Sequence, residues 1–319
     1  MKILITGGAG FIGSHLADAM IKRGNDVRII DNLSTGRLEN IAHLTGKKGF
    51  KYLIDSVRNE ALMDELVSEC DHVYHLAAAV GVKLVMDKPV ESIETNILGT
   101  EMVLKMANKH KKTTFIASTS EVYGKHVEHT LKETDNRVYG PTTIRRWSYA
   151  CAKALDEFLA LAYYREKKLK VVIGRLFNTV GPRQSAEYGM VLPNMVKLAL
   201  LGRPITVYGD GKQTRSFTYV GDVIWAMEKL INNEKSYGEV YNIGNGGEIS
   251  ILDLAKKVKE MTGSESKIVL IPYEDAYGPG FEDMARRTPD ISKLSALTGY
   301  KPGVDLDGII TSVIDYYKE

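Results

Sequence analysis

The sequence predicts an α/β protein: a doubly wound parallel sheet followed by a smaller mixed α/β lobe. Three observations carry this. Strand signals at 2–6, 26–30, 50–54, 72–76, 113–118 and 170–176 alternate with helical patterns, the arrangement that builds parallel sheets. The chain opens on an apolar strand that runs into a glycine cluster and then a helical stretch, Ser14 to Lys22. A second apolar strand, Asp26 to Ile30, is followed at once by an acid, Asp31.

The glycine turn is the most informative element. Gly8-x-Gly10-x-x-Gly13 matches the dinucleotide fingerprint, and Gly7-x-x-Gly10-x-x-Gly13 overlaps it. Gly7 and Gly8 permit a tight turn, Gly10 lets backbone approach a pyrophosphate, and Gly13 lets the helix lie close on the strand. The helix then presents unpaired amides and the positive end of its dipole to phosphates. Asp31 follows the last glycine by roughly the twenty residues expected of a ribose-binding acid. The sheet is therefore of Rossmann type. A glycine-rich turn without a ligand would share the spacing but not the acid.

Composition narrows the function classes. Of 319 residues, 44% are hydrophobic, enough for a sizeable core in one large or two moderate domains. Lys plus Arg number 42 against 40 for Asp plus Glu, a net charge of +2. That balance argues against nucleic acid or a membrane as partner, so any anion recognition is local. Cys70 and Cys151 are too few for a disulfide framework, and no Cys/His cluster has metal spacing; His126 and His129 in a polar loop read as surface residues. No metal site is expected. With the first core strand at the N-terminus and no long apolar run, the expectation is a cytoplasmic protein.

Taken in order, Arg37 to Gly46 reads as a loop with a short helical turn, and the strand at 50–54 ends in Asp55-Ser56, placed for an adenine contact. The strand at 72–76 runs into Leu76-Ala77-Ala78-Ala79, small enough for close approach of a cofactor or for dense packing. Glu91 to His110 reads as one helix carrying Asn96 and Gly99. Thr113 to Ser118 is a strand ending in hydroxyls, Ser118-Thr119-Ser120, and a carboxylate, Glu121. A helix follows from Arg146 to about Glu166, and after about Asn178 the pattern changes. There, helices at 190–201, 223–233, 250–261 and 305–317 mix with short strands at 205–208, 239–243 and 267–271. The expected division is a cofactor domain at 1–177 and a substrate lobe at 178–319, with a soft border because later segments can return to the first sheet.

Tyr149 and Lys153 are one helical turn apart and share a face. A tyrosine pKa near ~10 is too high for a base at neutral pH. A nearby ammonium and a positive nicotinamide would lower it by stabilising phenolate. With Thr119 holding a substrate hydroxyl, the set suits hydride transfer, Tyr149 taking the hydroxyl proton. Taken alone, the pair also fits a packed tyrosine and a surface lysine.

In combination the motifs resemble the extended short-chain dehydrogenase/reductases, the nucleotide-sugar epimerase, dehydratase and decarboxylase group, from end to end. The residues carrying the resemblance are Gly7 to Gly13, Asp31, His75-Leu-Ala-Ala78, Asn96, Ser118 to Gly124, Tyr149, Lys153, Arg175-Leu-Phe-Asn178, Gly181-Pro-Arg183, Tyr208-Gly-Asp-Gly211, Thr214-Arg215, Tyr219-Val-Gly-Asp222 and Asn242-Ile-Gly244. It implies a tightly held NAD, a nucleoside-diphosphate sugar with UDP linkage as the leading form, and a homodimer through the two long helices. By the same likeness Phe11, Ile12, Asn32 and Asn96 join the cofactor site, with Tyr149 and Lys153. Asn178, Arg215 and Arg287 would hold diphosphate or sugar, Val207 and Tyr208 would flank the base, and Ser120, Arg146 and Val191 would line the substrate side.

The group shares oxidation at sugar carbon 4 and differs in the fate of the ketone. Glu121 stands where simple 4-epimerases usually carry small residues, and Thr-Ser-Glu-Val-Tyr-Gly resembles UDP-glucuronate decarboxylases and GDP-mannose 4,6-dehydratases. Ser120 replaces the Asp of dTDP-glucose 4,6-dehydratases. Arg146, three before Tyr149, and Arg287-Thr-Pro-Asp290 resemble the decarboxylases, whereas Tyr277 to Met284 matches no characterised one. UDP-glucuronate decarboxylation is thus the leading expectation. Behind it stand UDP-sugar 4-epimerisation and 4,6-dehydration, and then a non-catalytic NAD-binding scaffold, which would have no need of Thr119, Tyr149 and Lys153.

Overall fold

The structure, a computed structural model, describes residues 1–126, 130–187, 189–278 and 281–318; His129 and part of the Tyr277 to Met284 stretch lie outside them. The first half alternates β1 (Lys2–Thr6), α1 (Phe11–Lys22), β2 (Asp26–Asp31), β3 (Phe50–Ile54), α2 (Glu60–Ser68), β4 (His72–His75), α3 (Val82–Asp87), α4 (Pro89–His110), β5 (Thr113–Thr119), α5 (Ser148–Lys167) and β6 (Val171–Leu176). The second half holds β7 (Thr179–Val180), α6 (Val191–Leu200), β8 (Ile205–Tyr208), β9 (Thr214–Arg215), β10 (Thr218–Tyr219), α7 (Val220–Ile231), β11 (Glu239–Ile243), β12 (Ile249–Ser250) and α8 (Ile251–Thr262). It ends with β13 (Ile268–Ile271), α9 (Tyr273–Tyr277), β14 (Arg286–Arg287), α10 (Ser292–Thr298) and α11 (Leu306–Lys318).

A seven-stranded sheet runs in the order β11-β6-β5-β4-β1-β2-β3, and every pairing in it is parallel. Strand alternation sends side chains to both faces. Ile3 and Ile5 pack with Leu16 of α1 and Met227 of α7, while Leu4 and Val73 pack with Leu66 of α2 and Val103 of α4. A separate core joins Leu192 and Val196 of α6, Val207 of β8, Leu254 of α8 and Ile310 of α11.

The chain crosses between these lobes. β11 hydrogen-bonds to β6, and Tyr241, Ile243 and Leu294 pack in the first core, although all follow residue 178. Two helix starts differ from the sequence reading. α1 begins at Phe11 rather than Ser14, directly on the glycine turn. Arg145–Trp147 forms a separate 3-10 turn ahead of α5, which turns Arg146 inward.

Candidate functional site

A cleft of about 620 Å³ opens at the carboxyl ends of β1, β2, β4 and β5 and extends between the sheet and the second lobe. Its floor at the cofactor end is the glycine turn. Gly7, with φ +69, sits so close to the segment after β4 that a Cβ there would lie 2.7 Å from the Ala77 nitrogen. A Cβ on Gly13 would collide with the Gly7 carbonyl. No side chain caps α1, and its first turn carries no acid, so the amides of Phe11, Ile12 and Gly13 are left for a ligand. Asp31 ends β2 and accepts from the Ala9 amide at 2.9 Å and the Leu33 amide at 2.8 Å. Burial pushes its carboxyl above the usual range despite those amides. Asn32, Asp55, Ser56, Leu76, Ala77 and Ala78 complete this end. The residues present fit an adenine dinucleotide: a floor cleared of side chains, free helix amides, and an acid one strand over.

Asn96 is buried and off the cleft wall. Its side-chain amide accepts from the Ala79 N–H at 2.9 Å and donates to the Ala79 carbonyl at 3.2 Å, so it holds the loop after β4 in shape.

At the other end, Thr119 finishes β5, and a 3-10 turn, Ser120–Tyr123, swings Ser120 and Glu121 into the cleft. Tyr149, in the first turn of α5, is within hydrogen-bonding reach of Thr119. Sequence reasoning expected Lys153 together with a positive nicotinamide to lower the Tyr149 pKa. In the protein alone the phenol lies above its ordinary value, because burial and then the Glu121 carboxylate oppose ionisation. Lys153 is 2% exposed and lines no part of the cleft; its ammonium donates to Asp156 at 2.8 Å.

Glu121 lies between two guanidiniums, 2.5 Å from Arg146 and 3.1 Å from Arg287. Burial alone would raise its carboxyl, but the two cations outweigh burial and hold it down to about 2. Burial and the neighbouring Arg215 cation bring Arg287 down to about 10. Arg287 also bonds Asn178, and Arg215 pairs with Asp283 at 2.8 Å. Three guanidiniums thus face two carboxylates, an excess of positive charge inside the cleft. The Nε atoms of Arg146 and Arg287 are buried without a hydrogen-bond partner among the described residues, leaving two donors for a bound anion.

Tyr208 and Val191 line the cleft, whereas Val207 is fully buried in the second-lobe core. Strand alternation explains this: β8 buries Ile205 and Val207 and presents Thr206 and Tyr208. Sequence reasoning missed Asp283 and an aromatic wall of Tyr273, Tyr277 and Phe281, in which the Tyr277 and Phe281 rings stack with centroids 4.3 Å apart. The one-turn spacing of Tyr273 and Tyr277 signalled a shared face; no local signal paired Asp283 with Arg215, 68 residues away.

Comparisons with known proteins bear on this geometry. The family model described as GDP-mannose 4,6 dehydratase matches residues 4–313. The chain is 44% identical over 319 residues to a UDP-N-acetyl-alpha-D-glucosaminuronate decarboxylase of Bacillus cytotoxicus, covering 100% of this chain and 98% of that one. It is 38% identical to UDP-glucuronic acid decarboxylase 1 of Arabidopsis thaliana, covering 99% of this chain and 70% of the plant protein. Among solved structures, UDP-glucuronic acid 4-epimerase of Bacillus cereus, in complex with UDP-glucuronic acid and NAD, superposes with TM-score 0.89 at 32% identity, covering 100% and 99% of the two chains. With the parallel sheet, glycine turn and Tyr149 site in place, the chain belongs to the GDP-mannose 4,6-dehydratase family of the extended short-chain dehydrogenase/reductases, NAD-dependent enzymes.

Proposed function

We propose that this enzyme uses NAD to decarboxylate a UDP-linked hexuronic acid, glucuronate or its 2-acetamido analogue. The observation that carries the reading is the charge cluster beside Tyr149: Arg146, Arg215 and Arg287 against Glu121 and Asp283. Glu121 and Asp283 already pair with these guanidiniums, but the Nε donors of Arg146 and Arg287 have no partner among the described residues, and a carbon-6 carboxylate beside Tyr149 suits them through charge-assisted N–H donation. The names of the relatives agree with it.

Held on the glycine turn, the free amides of α1 and Asp31, NAD would supply the acceptor and later the donor of the carbon-4 hydride. Thr119 holds the carbon-4 hydroxyl and Tyr149 receives its proton. A ketone at carbon 4 makes the carbon-6 carboxylate a β-keto acid, so the carbon 5–carbon 6 bond breaks, carbon dioxide leaves, and the bonding pair stays on the sugar as an enolate on the ketone oxygen; carbon 5 then takes a proton from solvent, which gives the pentose. Glu121, held in its ionised form by the two guanidiniums, fixes Arg146 and Arg287 around the departing group. In this reading residues 1–177 hold the cofactor, and 178–319 hold the sugar nucleotide, with Asn178 and Arg215 on the diphosphate and Tyr208 beside the base. Exposed apolar side chains on α4 and α5, Val90, Leu155 and Phe158 among them, suit a homodimer through those helices. Working in the cytoplasm belongs to the same reading, as do two unpaired cysteines.

A second reading, 4-epimerisation of UDP-glucuronate, is favoured by the Bacillus cereus likeness. Incubation with a panel of UDP-, GDP- and dTDP-sugars, followed by mass spectrometry and NMR, separates them. The reading expects a UDP-pentose from a UDP-hexuronate and fails if the product keeps the mass of its substrate.

A further inference from the structure

Beneath the cleft, a line of buried polar side chains runs from the cofactor-facing strand ends to the helix that carries Tyr149. Thr6 of β1, His75 of β4, Thr100 of α4, and Asp156 and Lys153 of α5 are each at most 2% exposed. Thr6 Oγ1 lies 2.8 Å from His75 Nδ1, and His75 Nε2 lies 3.1 Å from Thr100 Oγ1. Thr100 stands near enough to the Asp156 carboxylate to stabilise its charged form, and that carboxylate takes the Lys153 ammonium at 2.8 Å. At the far end the Ala77 amide donates to Thr6 Oγ1 at 3.3 Å, and Ala77 lines the cleft.

The donor inventory fixes the direction of every link. Asp156, paired with an ammonium, only accepts, so Thr100 directs its one hydroxyl proton there. Thr100 must then accept from His75, which places the imidazole proton on Nε2. Burial, and then the Lys153 cation, hold the imidazole down to about 3, so it is neutral. Its bare Nδ1 accepts the Thr6 hydroxyl proton, and Thr6 accepts the Ala77 amide. Because the line ends in an amide that cannot give up its proton, it relays nothing to solvent. What it does is hold.

We propose that His75, Thr100 and Asp156 are positioning residues for Lys153, tying its ammonium to the strand end that presents Ala77 to the cofactor. This rests on the hydride-transfer reading above. By keeping the Lys153 ammonium on Asp156, the line withholds that charge from Tyr149 and sets where Lys153 stands when a dinucleotide lies on Leu76 to Ala78. The charged groups facing Tyr149 are Glu121 after β5, Arg146 before α5, and Asp156 on α5. Those facing Asp156 are Lys153 and Glu157, and Glu157 is itself paired with Arg137 and Arg175.

Asp156→Asn removes an anion that opposes the phenolate and releases Lys153 toward it. The acid limb of the kcat/KM profile should therefore move to lower pH. Thr100→Val keeps volume and charge but breaks the line, and should lower kcat by about tenfold, the order expected for losing hydrogen bonds to a charged group; Thr100→Ser should restore it. Nitrogen NMR of labelled histidine, read without substrate, should show His75 neutral with its proton on Nε2 between pH ~5 and ~8. An Asp156→Asn profile superimposable on the wild type, with only a lower Tm, overturns the proposal. So does His75 protonated on Nδ1, or Thr100→Val with wild-type turnover. If Asp156→Asn does not fold, the Thr100 pair and the imidazole tautomer decide. Failure of the wild type to convert any UDP-hexuronate counts against the reaction and leaves the tautomer measurement to judge the line.

Discussion

Glu121 is where the candidate reactions part, and its surroundings say which part it plays. Pinned between Arg146 and Arg287, it is ionised far below neutral pH. Glu121→Gln should lower turnover by about 10², since the guanidiniums lose the anchor that sets their spacing around the substrate; steady-state kinetics check it, and an unchanged 4-epimer interconversion would contradict it. The same variant carries a stability prediction. A carboxyl held near 2 in the fold and in the usual carboxylate range when unfolded stabilises the protein above that range, and the gain is lost as pH falls toward about 2. Glu121→Gln should thus cost about 2 kcal/mol at neutral pH, with the deficit closing as acid is added, measured by denaturant melts across pH. Tyr149→Phe should bind UDP-sugar nearly as the wild type by calorimetry while turnover falls by roughly 10²–10⁴. At this scale the sequence was most legible where partners are near in the chain. Tyr149 and Thr119 meet as spacing and strand position implied, but Arg287 reaches Glu121 across 166 residues, and only family resemblance pointed to it. Lys153 was placed beside Tyr149 by helical spacing, while Asp156, one turn further on the same helix, went unread as its competitor.

Among elements, α1 and the turn before it do most to place the cofactor. Helix and strand approach so closely that Gly13→Ala must drive them apart. An overpacked contact costs typically ~1–3 kcal/mol, so the variant should melt lower and bind NAD at least several-fold more weakly in a thermal-shift titration. Asp31 sets the preference between dinucleotides. Its carboxylate would accept the ribose hydroxyls of NAD and repel a 2′-phosphate, so NAD should bind far more tightly than NADP by calorimetry. Equal affinity would point to Arg37, which pairs with Glu187 at 2.9 Å and lines the same cleft. The main strands were legible to within a residue, because β-branched runs bounded by glycine and polar residues leave little choice of register. The short strands β7, β9, β10, β12 and β14 were not, because two residues carry no period; long-range pairing defines them.

For the whole molecule, the two lobes share the chain rather than divide it. Strand β11 and helix α10 return to the first sheet after the second lobe has begun; the soft border near 178 left room for such a return, but which segments make it was not legible, since their apolar patterns suit either core. If α4 and α5 form the subunit contact, Phe158→Asp should shift sedimentation from dimer toward monomer; Phe158 is 62% exposed, so the fold itself should tolerate the change. The central claim concerns what leaves the sugar. UDP-glucuronate labelled in its carboxyl carbon, incubated with the enzyme and NAD, should release labelled carbon dioxide in step with formation of a UDP-pentose. Its 2-acetamido analogue, tested in parallel, shows which hexuronate is preferred. Label retained in a sugar nucleotide of unchanged mass, with the carbon-4 configuration inverted, would contradict the account.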